Sequence, residues 1–234
     1  MSVTASSPGS AAASGSRRAT PLPADERRAA ILGAVGPVLL SRGLSVTTKE
    51  LAAVAGVAEG TIFRVFDDKL SLVGAAAFDG LDPRRVLPDI EAIDRSLPLR
   101  ERLVAVMSAG LAHVSETIRW VGILHEIGRI DPRPDDERQQ AGREGWQRHM
   151  SRQADAEQEV RAAVARLVEP DAAQLRTGVA QAVDLFDVVL VGASMRQVDA
   201  RRRGVEPEPA DPGQLVDLVL HGVVAHPAAL EPPP

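Results

Sequence analysis

The sequence contains no cysteine and no tyrosine, and aromatic residues make up only 3% of it. The absence of thiols excludes disulfides, thiolate catalysis and cysteine-ligated zinc sites. The scarcity of rings argues against a β-sandwich, because such folds depend on aromatic and β-branched side chains. The apolar residues, mostly alanine, valine and leucine, make up 44% of the 234 residues, which is enough for a sizeable core. We therefore expect a globular, all-α protein.

Long apolar runs and familiar catalytic motifs are also missing. No run approaches the roughly 20 residues of a membrane helix, and the N-terminus lacks the apolar core of a secretion signal. We expect a cytoplasmic protein with no membrane partner. The chain has no HExxH, GxSxG, Walker or GxGxxG motif and no Glu-x-x-His pair, and His113 with Glu116 is a weak pattern. We expect no enzymatic activity, no cofactor and no metal site.

Charge is unevenly distributed along the chain, whose formal net charge is −5. Residues 17–73 carry eight Arg or Lys and six Asp or Glu, whereas residues 74–234 carry nineteen and twenty-six. The modest positive excess therefore lies in the first third. An excess of this size favours a local phosphate-facing surface over general attraction to nucleic acid.

Two short helices separated by a tight turn are predicted in that first third. Thr47 and Glu50 have the spacing of a capping box, which starts a helix at Thr47. Gly56 supplies the left-handed residue that commonly ends a helix. A second helix follows over roughly Glu59 to Phe66, with Ile62 and Phe66 on its inner side. This arrangement is typical of a helix-turn-helix, whose second helix enters the DNA major groove.

The flanking segments extend the same unit. Residues 1–24 are rich in Ser, Ala, Gly and Pro and are predicted to be a disordered tail, in which Arg17 and Arg18 could alternatively form a minor-groove arm. A first helix is expected from Asp25 to Ser41, ending before Gly43. Pro37 should kink it, because an interior proline removes a hydrogen bond. A fourth helix should begin at Lys69.

The stretch from Arg27 to Val73 resembles the DNA-binding domain of the tetracycline-repressor (TetR) family of bacterial transcription regulators. The matching features are the Ile-Leu pair of the first helix, Gly43, the two threonines before Glu-Leu-Ala, and the Ala-Gly-Val, Gly-Thr-Ile-Phe and Phe-Asp-Asp-Lys-Leu segments. They occur in the family's order and spacing. The resemblance implies a regulator, most often a repressor, that binds a palindromic operator as a homodimer and responds to a small molecule.

The same resemblance implies the DNA contacts. Threonines at the first motif helix would lie near phosphates, Lys69 would contact phosphate as a point charge, and Arg64 would contact either guanine or the backbone. The implied DNA-binding residues are Thr47, Thr48, Lys49, Ala58, Glu59, Gly60, Thr61, Phe63, Arg64 and Lys69.

Three positions depart from the family pattern. Ala58 replaces the usual serine cap, which is worth about 1 kcal/mol. Glu59 places a carboxylate at the groove, although it also favours the helix dipole. Phe63 replaces a tyrosine and loses a hydroxyl donor, and packing in the core is as plausible for it as contact with DNA. We expect weaker nonspecific binding to DNA.

Helices are also predicted for the remaining two thirds. One short segment is expected near Asp89 to Arg95. Longer helices are predicted over 98–119, 120–129, 135–168, 169–201 and 214–224. The helix over 169–201 is apolar on nearly every side in its middle, so it must be buried on both faces. In the family the last two helices form a dimeric four-helix bundle, and the candidate interface residues are Leu185, Val189, Ala193, Arg196, Leu215, Leu218 and Val219.

A ligand pocket is expected in this second part, because Met and aromatic side chains line adaptable cavities. The candidates are Met107, Leu111, Trp120, Leu124, Trp146, Met150 and Phe186. His113 and His125, on separate predicted helices, could serve as polar groups there. The predicted organisation is a tail (1–24), a DNA-binding domain (25–73), a ligand-sensing and dimerisation domain (74–228) and a tail (229–234). The alternative is a helical small-molecule-binding protein or enzyme with a vestigial helix-turn-helix.

Overall fold

The computed structural model describes residues 23–223, and every regular element in that range is helical. The predicted all-α class is thereby confirmed. The predicted tails, including Arg17 and Arg18, lie almost entirely outside the described residues, as does the expected helix end at Val224. Within the described range, no helix is both long and apolar enough to cross a membrane.

The N-terminal part contains four helices, which are α1 (Ala24–Arg42), α2 (Thr48–Val54), α3 (Glu59–Val65) and α4 (Lys69–Gly80). A 3-10 turn, Gly43–Ser45, links α1 to α2. The first helix stays continuous through Pro37, which is exposed, so the expected kink does not interrupt it. The carbonyl deprived of its partner belongs to Gly33, which is also exposed and can be solvated.

The second part contains α5 (Leu87–Glu91), α6 (Leu99–Ile130), α7 (Asp135–Val168), α8 (Val179–Arg202) and α9 (Pro212–Val223). Two 3-10 segments, Pro83–Val86 and Glu169–Gln174, precede α5 and follow α7. The bounds predicted for α7 are confirmed. The short helix placed at Asp89 to Arg95 is wrong, because Pro83 and Pro88 start helical turns earlier in the chain.

Two further predictions of helix bounds are wrong. The helices expected over 98–119 and 120–129 form one helix of 32 residues, because no proline or capping residue separates Arg119 from Trp120. His113 and His125 therefore lie on the same helix. The helix expected from 169 begins instead at Val179, with Gly178 as its N-cap, after the 3-10 segment.

Two clusters of buried side chains form the interior. The head core joins α1 to α4 with Trp120 and Ile123 from the C-terminal half of α6. The body core joins α5, α7, α8 and α9 with Leu103, Val106 and Met107 from the N-terminal half of α6. The apolar stripe of α6 thus changes partner along its length, and one rigid helix belongs to both cores.

Candidate nucleic-acid interface

The N-terminal end of α2 is built by the capping box. Thr47 Oγ1 accepts from the backbone N–H of Glu50 at 3.2 Å, and Glu50 Oε2 accepts from the backbone N–H of Thr47 at 2.8 Å. The predicted box is confirmed. The hydroxyl of Thr47 also donates to Glu50 Oε2 at 2.8 Å, so its proton is already engaged inside the cap.

Glu50 is the electrostatic centre of this end. Hydrogen bonds from the Thr47 backbone N–H, the Thr47 hydroxyl and Arg42 lower the pKa of Glu50 to about 2. Arg42 Nη1 lies 3.0 Å from Glu50 Oε1 and joins the end of α1 to the start of α2. Lys49 is exposed beside this pair. The box therefore fixes where α2 starts while Lys49 extends from its surface.

The turn between α2 and α3 depends on Gly56, whose φ is 66°. The N–H of Val57 donates to the carbonyl of Ala52 at 3.0 Å, which closes the turn around the glycine. Ala58 then occupies the N-cap of α3 without any side-chain hydrogen bond. The predicted left-handed turn and the missing cap are both confirmed.

The α3 helix has a buried side and an open side. Ile62 is fully buried and Phe66, at the C-cap, is only 4% exposed. Glu59, Gly60 and Arg64 are exposed on the other side. These side chains can reach a ligand as wide as DNA without disturbing the head core.

Phe63 belongs to the open side of α3, since half of its surface is exposed. The alternative that it packs in the core is wrong. Thr61 is partly exposed beside it. A large apolar ring left in solvent next to an arginine is suited to contact with sugar or a thymine methyl group, although it has no hydroxyl to donate to phosphate.

Two basic residues hold the head together. Arg28 of α1 donates to the carbonyl of Val65 at 3.3 Å and lies over the ring of Phe66 at 4.4 Å, so it secures the C-terminal end of α3. Lys69 Nζ donates to the carbonyl of Leu44 at 2.6 Å. An ammonium has three donors, so this bond leaves Lys69 two for a phosphate. Sequence reasoning missed both structural contacts, because their partners are 25 residues or more away.

The seven predicted pocket residues do not line one cavity. Met107 and Phe186 are buried in the body core, Leu111 packs against it, and Trp120 is only 3% exposed in the head core. Met150 is largely exposed. Of the seven, only Leu124 and Trp146 are among the residues that line a cleft of about 800 Å³ between α4, α6 and α7. The assignment of Trp120 and Met107 to a pocket is therefore wrong. Both are core residues, and the two cores are packed too closely to admit a ligand.

The two histidines offered as polar groups lie elsewhere. His113 is partly buried on α6, and this burial lowers its pKa. His125 is exposed and its Nδ1 lies 2.9 Å from the carbonyl of Val121 in the preceding turn. Neither lines the cleft, whereas His149, which was not predicted, does.

The candidate interface residues divide between the surface and the body core. Leu185, Arg196 and Leu218 are exposed, whereas Val219 is buried and Val189, Ala193 and Leu215 are partly buried within the subunit. Three further apolar residues of α8, Val188, Val191 and Met195, are exposed and were missed. Their helical spacing of three and four residues was visible in the sequence.

These features define an all-α protein with a helix-turn-helix head, in which one face of the second motif helix is exposed to solvent. Residues 38–76 match the family model of bacterial regulatory proteins of the tetR family. This match confirms that the head resembles the DNA-binding domain of the TetR family. The match supports the general function of a DNA-binding transcription regulator for the head.

The wider comparisons add structural neighbours of low identity. A TetR transcriptional regulator from Streptomyces coelicolor is 21% identical over 86% of this chain and 99% of its own, with a TM-score of 0.46. A transcriptional regulator from Rhodococcus sp. RHA1 is 16% identical over 86% and 99%, with a TM-score of 0.44.

NalD of Pseudomonas aeruginosa, the secondary repressor of the MexAB-OprM multidrug efflux pump, is 19% identical over 86% of this chain and 98% of its own, with a TM-score of 0.41. No curated protein matches the sequence.

Proposed function

We propose that this protein is a cytoplasmic, ligand-responsive repressor that binds a palindromic operator as a homodimer. The observation that carries the proposal is the geometry of α3. Ile62 and Phe66 anchor the helix while Glu59, Phe63 and Arg64 stand open to solvent. In a helix-turn-helix the N-terminal part of the second helix reads base edges, so Glu59 to Arg64 is the reading surface.

The contacts divide by role. Thr48, Lys49 and Lys69 are assigned to phosphates, because they surround the start of α2 and α4, whose backbone N–H groups favour anions. Arg64 is assigned to a base edge or an adjacent phosphate. Glu59 is tolerable at the groove where it accepts from a cytosine amino group.

A second subunit is supported by an apolar surface on α8 and α9. Leu185, Val188, Val191 and Met195 form an exposed row along α8, and Leu218 of α9 is 64% exposed. Exposed contiguous apolar patches of this kind mark interaction sites. Pairing of α8 and α9 with the same helices of a second copy would bury them and set two heads about 34 to 36 Å apart, or one turn further.

Repression would be relieved by a small molecule that binds the two head arrangements unequally. An effector that binds both equally would change nothing. The body and head share α6, so a change in the body's packing is transmitted to Trp120 and Ile123 in the head core.

The test is selection of bound fragments from genomic DNA by the full-length protein, with Arg64→Ala as the matched variant. We expect the wild type to enrich fragments that share one inverted repeat. Arg64→Ala should lose about 1–3 kcal/mol of affinity for that repeat at fixed salt while its oligomeric state is unchanged. Enrichment without any shared repeat would contradict sequence-specific regulation, and equal affinities would remove Arg64 from the reading surface.

A further inference from the structure

A cleft opens between the head and α7. Its volume is about 800 Å³, within the range of small-molecule sites. Leu32 of α1, and Leu124 and Ile127 of α6, give it an apolar floor. Phe78 of α4 adds a ring that approaches α7 so closely that a Cβ on Gly145 would lie 2.5 Å from it. The cleft is thus lined by residues of α1, α4, α6 and α7.

An aromatic wall stands on one side of the cleft. The rings of Trp146 and His149 on α7 have centroids 5.5 Å apart, and His149 lies 6.4 Å from the ring of Phe78. Trp146 is 53% exposed, although the indole N–H is the only polar group in its side chain. An exposed tryptophan beside other rings is a stacking surface for a planar molecule.

The charges of the cleft favour an anion. Two of its three aspartates are held closely by an arginine, with Asp79 2.6 Å from Arg85 and Asp131 2.6 Å from Arg133. Asp82 lies 3.6 Å from Arg84, whose guanidinium is also bound by Glu159 at 2.7 Å. Arg148 and Arg152, one turn apart on α7, also line the cleft, and neither has an ion-pair partner within the described residues. Arg148 and Arg152, together with Arg28 of α1, therefore give the cleft an excess of positive charge.

We propose that this cleft is the effector site and that it takes a planar aromatic anion, with the ring against Trp146 and His149 and the charge on Arg148 and Arg152. The site deepens the proposed function, since it rests on the protein being ligand-responsive. Arg28 supplies the connection to DNA binding, because it lines the cleft and also holds the carbonyl of Val65 at the end of α3. An anion that draws this guanidinium into the cleft moves it away from the carbonyl of Val65 and loosens the end of the reading helix.

Calorimetric titration with 1-naphthoate and with its neutral amide tests the ligand class without any DNA. We expect wild type to bind the acid saturably and at least about tenfold more tightly than the amide. Arg148→Gln/Arg152→Gln should weaken acid binding about tenfold and leave the amide within about twofold. Trp146→Ala should weaken both. Arg143→Gln, an exposed arginine of α7 outside the cleft, is the control and should change neither.

The proposal is overturned by no saturable binding of the acid, by equal affinities for acid and amide, or by equal losses in Arg143→Gln and the double variant. The second measurement is affinity for the operator obtained by genomic selection. Saturating 1-naphthoate should lower it for wild type and not for the double variant. An unchanged affinity in wild type would remove the regulatory role. Operator binding is also measured without the acid. The proposal for the effector site can therefore be rejected while the proposal for DNA binding stands, and DNA binding can be rejected while the effector site stands.

Discussion

Single glycines decide how closely α6 approaches the head. A Cβ at Gly36 would lie 3.7 Å from the ring of Trp120, which is an ordinary contact. A Cβ at Gly80 would lie 2.1 Å from Trp120 Nε1, which is impossible without movement. The indole is buried and packed among the head core residues, so it has little room to yield. Gly80 is therefore fixed by a close approach between α4 and α6.

Gly80→Ala should consequently destabilise the protein by about 1–3 kcal/mol, because overpacking a full core outweighs the better helix propensity of alanine. The matched control is Gly74→Ala on the same helix, where a Cβ would meet nothing within 4 Å. That change should stabilise by up to about 1 kcal/mol. Thermal unfolding of both variants measures the difference. Equal melting temperatures for the two variants would show that Trp120 moves at no cost, so that the close approach of Gly80 to Trp120 does not affect stability.

Trp120 also marks the limit of residue-level prediction from sequence. The outward position of Arg64 and the burial of Ile62 follow from helical periodicity alone, and both were predicted. Trp120 was assigned to a pocket because tryptophan is common in pockets. Its actual place depends on Gly80, forty residues earlier, and no local pattern connects the two. Phe63 was ambiguous for a related reason, since hydrophobicity alone does not say whether a ring faces the core or a partner.

At the scale of elements, α2 and α3 are stabilised differently at their N-termini. Thr47 and Glu50 close a complete capping box on α2, whereas Ala58 leaves the first N–H groups of α3 without a side-chain acceptor. The helix that we propose to read DNA is thus the less well capped of the pair. The missing cap of α3 and the carboxylate of the α2 cap each have a measurable effect on stability.

Ala58→Ser should stabilise the head by about 1 kcal/mol, because Ala58 already has the extended backbone of an N-cap, with φ −69° and ψ 145°. In a chain of this size the melting temperature should rise by about 2–4 °C. Ala53→Ser is the control, since this exposed position lies inside α2, where serine has a lower helix propensity than alanine. No gain at Ala58, or an equal gain at Ala53, would argue against a missing cap.

Glu50 should make stability depend on pH. Its pKa falls from 4.5 to about 2 in the folded protein, so the carboxylate stabilises the native state fully above pH 4.5 and loses that effect as pH falls toward 2. Glu50→Gln keeps an acceptor for the N–H of Thr47 and removes the charge. The melting temperatures of wild type and variant should differ above pH 4.5 and converge toward pH 2. Parallel curves over this range would contradict the assignment.

The length of α6 shows why elements were only partly predictable. The sequence analysis predicts one helix up to Arg119 and another from Trp120, although no proline or capping residue separates them. The structure keeps the backbone helical and changes the partner, from the body core at Met107 to the head core at Trp120 and Ile123. Periodicity reports which face is apolar, and it carries no information about which element covers that face. The start of α7, which follows Pro134, was predicted correctly.

At the scale of the whole molecule, two cores and one shared helix explain how a signal in the body could reach DNA. Residues 25–73 were predicted as the head, but the head core also includes Ala76, Leu81, Trp120 and Ile123. The head is thus packed on α6 and is not tethered by a flexible linker. The pattern of residues 169–201 predicts a helix that is buried on both faces. The row of exposed residues on α8 agrees with that expectation.

That row yields the prediction for the assembly. Val188 is 67% exposed in the subunit, so a charge there should leave the fold intact. In a symmetric dimer each interface receives the change twice, and burying an unpaired carboxylate costs at least about 2 kcal/mol per copy. Val188→Glu should therefore raise the dissociation constant about a thousandfold. Sedimentation velocity at micromolar concentration should find dimers of the wild type and monomers of the variant.

Val121→Glu is the control for that experiment, because Val121 is an exposed valine on the part of α6 that contributes Trp120 and Ile123 to the head core. It should sediment as the wild type does. Monomeric Val188→Glu should also lose binding to a full inverted repeat, since each head alone keeps only half of the phosphate and base contacts. A Val188→Glu protein that remains dimeric would place the contact between subunits on another surface. The exposed row on α8 would then need a different partner.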